Sequence, residues 1–158
     1  MKPCKFKSKL FKDSRGYLIE IIPKKIKKKF NYSILTESKK NVLRGMHFNK
    51  KMDEEKLVFI LKGKILDVTI NLNKGKNYGK VFYFNLKKHD ILSIPKGFAH
   101  GYLCLDKINT ILYLLNKKYS YKNNSGFCWN DKTFNIKWKI KKPILSIKDG
   151  RLGGYKKS

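Results

Sequence analysis

Arginine, cysteine and long apolar runs are all scarce in this 158-residue chain, and each shortage removes a class of protein. Arginine occurs only as Arg15, Arg44 and Arg151, although the chain carries 38 basic residues against 11 acidic ones and a formal charge of +27. Reading bases and gripping phosphate in two-pronged fashion both favour the planar guanidinium fork. A coat made almost wholly of lysine, in a chain also rich in Ile, Asn, Tyr and Phe as an AT-rich coding sequence would make it, reads as a solvated surface rather than a nucleic-acid-reading face. Its diffuse positive field still favours the approach of anionic substrates. The three cysteines, Cys4, Cys104 and Cys128, are odd in number and scattered, which excludes a disulfide framework or a Cys-x-x-Cys zinc knuckle and fits a reducing, cytoplasmic setting. No segment approaches membrane-spanning length, and Met1 to Lys12 lacks the continuous apolar core of a secretory signal. His-x-His is missing, so the ligand set of a metal-binding small β-fold is not there, and no metal is expected. Gly-x-Gly-x-x-Gly and P-loop signatures are missing too, so neither a dinucleotide nor a kinase-type phosphate site is indicated, and no cofactor is expected.

What is present reads as strands and turns in one domain spanning residues 1–158. An Asp-Ser-Arg-Gly turn leads into the apolar run Tyr17 to Ile22. Leu57 to Leu61, a Lys-Gly-Lys turn and Ile65 to Leu72 form a β-hairpin. Lys80 to Leu86, Ile91 to Pro95, His100 to Leu105 and Thr110 to Leu115 continue the series, separated by polar or glycine-bearing turns. Short strands at regular spacing, rich in Ile, Val, Phe and Tyr, predict an all-β antiparallel sandwich or barrel. The basic run Lys24 to Lys29 reads as a short helix or a loop. The lysine- and glycine-rich tail from Lys141 reads as a mobile end or as a segment folding back over the mouth of the fold.

Scarce titratable groups sit at strand ends. Arg44-Gly45-Met46-His47 is followed by Lys56, and Gly97-Phe98-Ala99-His100-Gly101-Tyr102 by Tyr113. His89, in a charged turn, reads as solvent-exposed. For His47 and His100, spacing alone leaves a structural and a functional reading equally open. Tyr113 on a leucine-rich strand reads by itself as a core tyrosine, and Asp149 as a solvated aspartate of the tail.

Taken together and in order, eight segments change those readings. They are Asp13-Ser14-Arg15-Gly16, Val42 to His47, Lys56-Leu57-Val58, Gly63 to Val68, Ile94 to Gly101, Leu112-Tyr113, Gly126 to Asp131 and Leu145 to Asp149. This series resembles the dTDP-4-dehydrorhamnose 3,5-epimerase family along nearly the whole chain. The resemblance implies a cupin-type double-stranded β-helix, or jelly roll, with short peripheral helices. It implies a homodimer acting without metal on a nucleotide-linked 4-keto-6-deoxy sugar, for surface-polysaccharide synthesis. It also implies roles. His47 matches the general base and Asp149 the carboxylate that fixes its tautomer. Lys56 matches the cation that stabilises the enolate oxygen, and Tyr113 the acid that reprotonates carbon from the other face. Arg15, Glu20, Arg44 and Lys148 match residues that hold the sugar nucleotide, His100 with Asp67 a second histidine pair in the pocket, and Tyr119 an aromatic ring stacked on the base.

The chemistry is consistent with such a set. A ketone acidifies the hydrogens on both neighbouring carbons, so inversion needs a base on one face, an enolate stabiliser, and an acid on the opposite face. The chain departs from the family where a Gln-x-Asn pair beside the nucleotide falls on Tyr32 and Ile34, and where Lys118-Tyr119-Ser120-Tyr121 lacks the usual proline. The nucleotide, dTDP or GDP, is therefore left open, as are a 3-epimerase or 3,4-ketoisomerase activity and, in another class, a non-catalytic cupin binding sugar or nucleic acid.

Overall fold

The computed structural model describes residues 1–22, 26 and 29–156. Most of the basic run at 24–29 lies outside the described residues. Two five-stranded antiparallel sheets pack face to face. The first contains β1 (Cys4–Lys7), β4 (Tyr32–Lys39), β6 (Lys56–Lys62), β9 (Asp90–Ile94) and β11 (Ile108–Leu115), in the spatial order β1-β9-β6-β11-β4. The second contains β5 (Leu43–Asn49), β7 (Lys64–Asn71), β8 (Val81–Lys87), β10 (Phe98–Cys104) and β12 (Asn124–Gly126), in the order β12-β5-β10-β7-β8. β2 (Lys9–Asp13) and β3 (Gly16–Glu20) form a separate hairpin. The expected peripheral helices reduce, among the described residues, to a single turn, α1 (Ile147–Gly150). This is the jelly-roll sandwich that the strand pattern and the resemblance imply.

Alternation along the strands sorts side chains into three layers. Inward from β6 and β11 come Val58, Ile60 and Ile111, which meet Ile65, Leu86, Phe98 and Cys104 from the opposite sheet. Outward from β6 come Leu57 and Phe59, which pack beneath Phe6 and Ile19. Outward from β7 come Leu66, Val68 and Ile70, covered by Phe127, Phe134 and Trp138 from the C-terminal segment. β7 is thus buried on both faces, and its inward positions Asp67 and Thr69 are fully buried polar groups. The tail does fold back, as one of the two readings had it: Leu145 and Tyr155 pack against the outer core.

One irregularity positions the functional residues. β5 and β10 pair with His47 opposite His100 and Arg44 opposite Tyr102, so three steps on β5 match two on β10. The extra residue is a β-bulge. Leu43 and Met46 consequently point into the outer core, while Arg44 and His47 both line the cavity on the other side, a spacing that a regular strand of period two forbids. Glycine is required on both strands here. Gly45 has φ +128°, and a Cβ on it would lie 2.6 Å from the Gly101 Cα. A Cβ on Gly101 would lie 2.7 Å from the Met46 sulfur.

Candidate active site

A cavity of about 540 Å³ opens between the β4–β11–β6 part of one sheet and the β5–β10 part of the other. From β5 and β10 it receives Arg44, His47, His100 and Tyr102; from β4, β6 and β11 it receives Tyr32, Ile34, Thr36, Lys56 and Tyr113. Its mouth is closed by Tyr119, Tyr121 and Asn124 on one side and by Ser146, Lys148 and Asp149 on the other.

His47 Nε2 lies 2.7 Å from Asp149 Oδ1. The carboxylate is presented by α1, where Ser146 caps the turn and its hydroxyl accepts the Asp149 N–H at 3.0 Å. Burial raises the Asp149 carboxyl. The His47 ring, the Gly45 backbone N–H and the Ser146 hydroxyl outweigh that and hold it below the usual carboxylate value. A carboxylate kept ionised in this way fixes the orientation of the imidazole and can support the cation it becomes. Asp149 is therefore buried and paired rather than solvated.

Lys56 projects inward from β6 and pairs with Glu54 at 2.8 Å, both side chains being largely shielded. Glu54, in the acidic stretch 53–55, thus turns its carboxylate into the cavity. Tyr113, on the neighbouring strand of the same sheet, is not a plain core tyrosine. Its ring stands 6.2 Å from the His100 ring and 6.4 Å from that of Tyr102. Burial pushes its phenol well above the ordinary value; Tyr102 and Asp67 push the same way and Arg44 opposes them. A phenol so raised is held as a hydroxyl bordering the cavity. His100 Nε2 meets Asp67 Oδ2 at 2.7 Å, deep between β10 and β7. Arg44 is held by its Nε donating to the Ser38 hydroxyl at 3.1 Å.

Of the residues singled out in the sequence, His47, Asp149, Lys56, Tyr113, Arg44, His100, Tyr119 and Lys148 line this one cavity, with Asp67 directly behind His100. Arg15 and Glu20 do not. Arg15 sits at the tip of the β2–β3 hairpin, ion-paired with Asp13 at 2.6 Å and almost fully exposed, and Glu20 closes the same hairpin. Their absence from the cavity of a single chain follows from the hairpin belonging to neither main sheet. His89 is half-buried against Tyr17 rather than exposed, and of the three cysteines Cys4 is exposed and Cys104 buried. Among the described residues no cluster of three or more His, Cys, Asp or Glu is arranged to hold a metal ion, and no helix is long and apolar enough to cross a membrane.

Sequence reasoning missed Tyr102, Tyr121, Thr36 and Glu54. Tyr102, immediately after the His100-Gly101 pair, carried a readable signal: a hydroxyl two positions along a strand from a cavity-facing histidine faces the same way.

Known proteins are similar to this chain in sequence and fold. The family profile described as dTDP-4-dehydrorhamnose 3,5-epimerase matches residues 3–156. The dTDP-4-dehydrorhamnose 3,5-epimerase of Shigella flexneri is 34% identical over 155 residues, covering 91% of this chain and 86% of that one. The enzyme of the same name from Methanothermobacter thermautotrophicus is 31% identical, covering 89% and 82%. The crystal structure of the Bacillus anthracis enzyme, with TDP and PPi bound, superposes with a TM-score of 0.90 at 32% identity and covers 97% of this chain and 94% of that one. With the jelly roll, the cavity and these relatives in agreement, the chain belongs to the dTDP-4-dehydrorhamnose 3,5-epimerase family and is a nucleotide-sugar epimerase.

Proposed function

We propose that this protein inverts C3 and C5 of a dTDP-linked 4-keto-6-deoxy sugar, with His47 as base and Tyr113 as acid. The observation that carries the reading is that these two groups come from opposite sheets, β5 and β11, and face one cavity that also receives Lys56 from β6, the strand next to that of the acid. A flat sugar ring lying between the sheets has one face toward His47 and the other toward Tyr113. His47 takes the hydrogen from a carbon next to the ketone, and the ketone oxygen gains negative charge, which the Lys56 ammonium stabilises. Tyr113 then delivers a proton to the opposite face of the same carbon, and the centre is inverted. Both carbons flank one carbonyl, so one trio serves both. Asp149 holds the imidazole, while Arg44 and Lys148 suit the diphosphate and Tyr119 the base. Reduced thiols and a sugar-nucleotide substrate suit a cytoplasmic enzyme of glycan precursor synthesis.

The working unit in this reading is a homodimer. The β2–β3 hairpin packs Ile19 on the sandwich but leaves Phe11, Tyr17 and Leu18 exposed, and it carries Arg15 and Glu20 outside its own cavity. A second copy gives those residues a substrate to hold.

Incubation with dTDP-4-keto-6-deoxyglucose in heavy water, followed by NMR, tests the activity. Deuterium appearing at C3 and C5 together with inverted product is the expected result. Label at C3 alone reassigns the enzyme as a 3-epimerase. No label at either carbon, with dTDP- and GDP-linked substrates alike, overturns the epimerase reading.

A further inference from the structure

A carboxylate beside the cation that an enolate needs calls for an explanation, since it cancels part of the charge on offer. Glu54 Oε1 lies 2.8 Å from Lys56 Nζ, and the two side chains are 14% and 13% exposed. Both line the cavity. The loop that carries Glu54 is clamped on either side of it by one residue, Asn116, the first after β11. The Asn116 side-chain oxygen accepts the Glu55 N–H at 2.9 Å, and its side-chain NH2 donates to the Asp53 carbonyl at 3.2 Å. Its backbone N–H donates to the Glu55 carbonyl, also at 3.2 Å. Lys117 pairs with the Asp53 carboxylate next to the clamp. Lys56 in turn stands opposite Leu115 in the β6–β11 register, and Tyr113 lies one step further along the same face of β11. Glu54, Lys56 and the end of the strand bearing Tyr113 are thus tied into one unit.

Resting on the reading of Lys56 as the stabiliser of the ketone oxygen, we propose that Glu54 is a positioning residue that aims the Lys56 ammonium at that oxygen. A lysine carries a compact charge and three N–H donors on a flexible four-carbon stem, so by itself it is a poorly directed donor. One charge-assisted bond to a shielded and clamped carboxylate fixes the direction of one N–H. The other two then point along a defined arc and are left for the substrate. What the carboxylate takes away in charge is offset because the stem is already ordered before the enolate forms. The clamp grows from the end of β11, so the aim of the cation and the place of the acid are set by the same piece of backbone. A ketone that meets Lys56 arrives at a fixed offset from Tyr113.

Position and charge can be separated at Glu54. Glu54→Gln keeps an oxygen acceptor at the same reach and removes the charge, whereas Glu54→Asp keeps the charge and withdraws the oxygen by one methylene. The kcat and KM for inversion of dTDP-4-keto-6-deoxyglucose are to be measured for these two, for Glu54→Ala, for Lys56→Ala and for the double variant. Glu54→Ala is expected to lower kcat about tenfold with KM within about twofold. Glu54→Gln should stay within about threefold of the wild-type kcat, and Glu54→Asp should fall close to Glu54→Ala. Once Lys56 is already alanine, Glu54→Ala should lower kcat by less than about a further twofold, because nothing is left to aim. The order of Gln and Asp decides the matter even where a variant also shifts the urea midpoint. Asp equal to or above Gln, or the full tenfold loss persisting without Lys56, overturns the inference. A kcat that Lys56→Ala leaves intact overturns the role of Lys56 and the inference with it, while a wild type without turnover on dTDP- and GDP-linked substrates is instead a failure of the functional reading.

Discussion

Two histidine–aspartate pairs face the same cavity, each closed by a contact of 2.7 Å, and their settings differ in every other respect. In His47–Asp149 the histidine side chain is 30% exposed, and its carboxylate arrives on a single helical turn from the far end of the chain. In His100–Asp67 the two side chains are 7% and 0% exposed, and both sit on adjacent strands β10 and β7, in the register that pairs Tyr102 with Asp67. A histidine open to the cavity can be reached by substrate and water. One sealed between strands is fixed in place by its buried carboxylate. The same two residue types thus give an accessible imidazole, the base of the proposed mechanism, in one place and a fixed polar wall in the other.

The contrast can be broken in several ways. The largest expected effect is on His47→Ala, which should lower heavy-water exchange at the carbons flanking the ketone by about 10³-fold with an unchanged far-ultraviolet circular dichroism spectrum. If His100→Ala did the same with no loss of stability, the two pairs would be equivalent. His100→Ala should instead leave Asp67, whose second oxygen already lacks a hydrogen-bond partner, buried and alone. The expected cost is about 3–5 kcal/mol in urea denaturation, against about 1 kcal/mol for His47→Ala. Gly101→Ala tests whether the bulge is what separates the two settings. Its Cβ would meet the Met46 sulfur and the Arg44 carbonyl, so a loss of about 2–3 kcal/mol is expected, with activity falling alongside. The smallest effect concerns acid. The Asp149 carboxyl is held below its ordinary value of 3.8 in the fold, so the unfolded chain binds its proton first as pH falls. The stability this group contributes is complete above that ordinary value and drains away as pH drops through the lower folded one. Asp149→Asn should therefore flatten the acid limb of a stability-versus-pH curve below about pH 4 and leave the neutral region nearly level.

The hairpin of β6 and β7 was legible because both strands are long, apolar and joined by a Lys-Gly-Lys turn, and Gly63 there indeed has φ +86°. β4 was not, for a physical reason. Leu35 points outward and is exposed while Thr36 points inward, so the alternation that marks a half-buried strand is inverted at its centre. Residues on motifs next to glycine could be placed on strand ends from local pattern alone. Asp149 could not, because its partner lies 102 positions away and nothing local in a lysine-rich tail hints at burial. Resemblance supplied that pairing where periodicity had no means to. Arg15 and Glu20 mark the opposite limit: the motif is clear, but the residues lie on a hairpin whose own chain offers them no cavity.

The order of the chain gives the His47–Asp149 contact a further meaning. Every strand of both sheets lies within residues 4–126, whereas Asp149 belongs to the segment that covers the outer face of β7 with Phe134, Trp138, Leu145 and Tyr155. One stretch of chain thus both seals the outer core and orients the imidazole. On the proposed roles, activity reports the integrity of that cover: a clip after Pro143 removes the group that aims His47 together with two outer-core side chains, so activity and stability fall together.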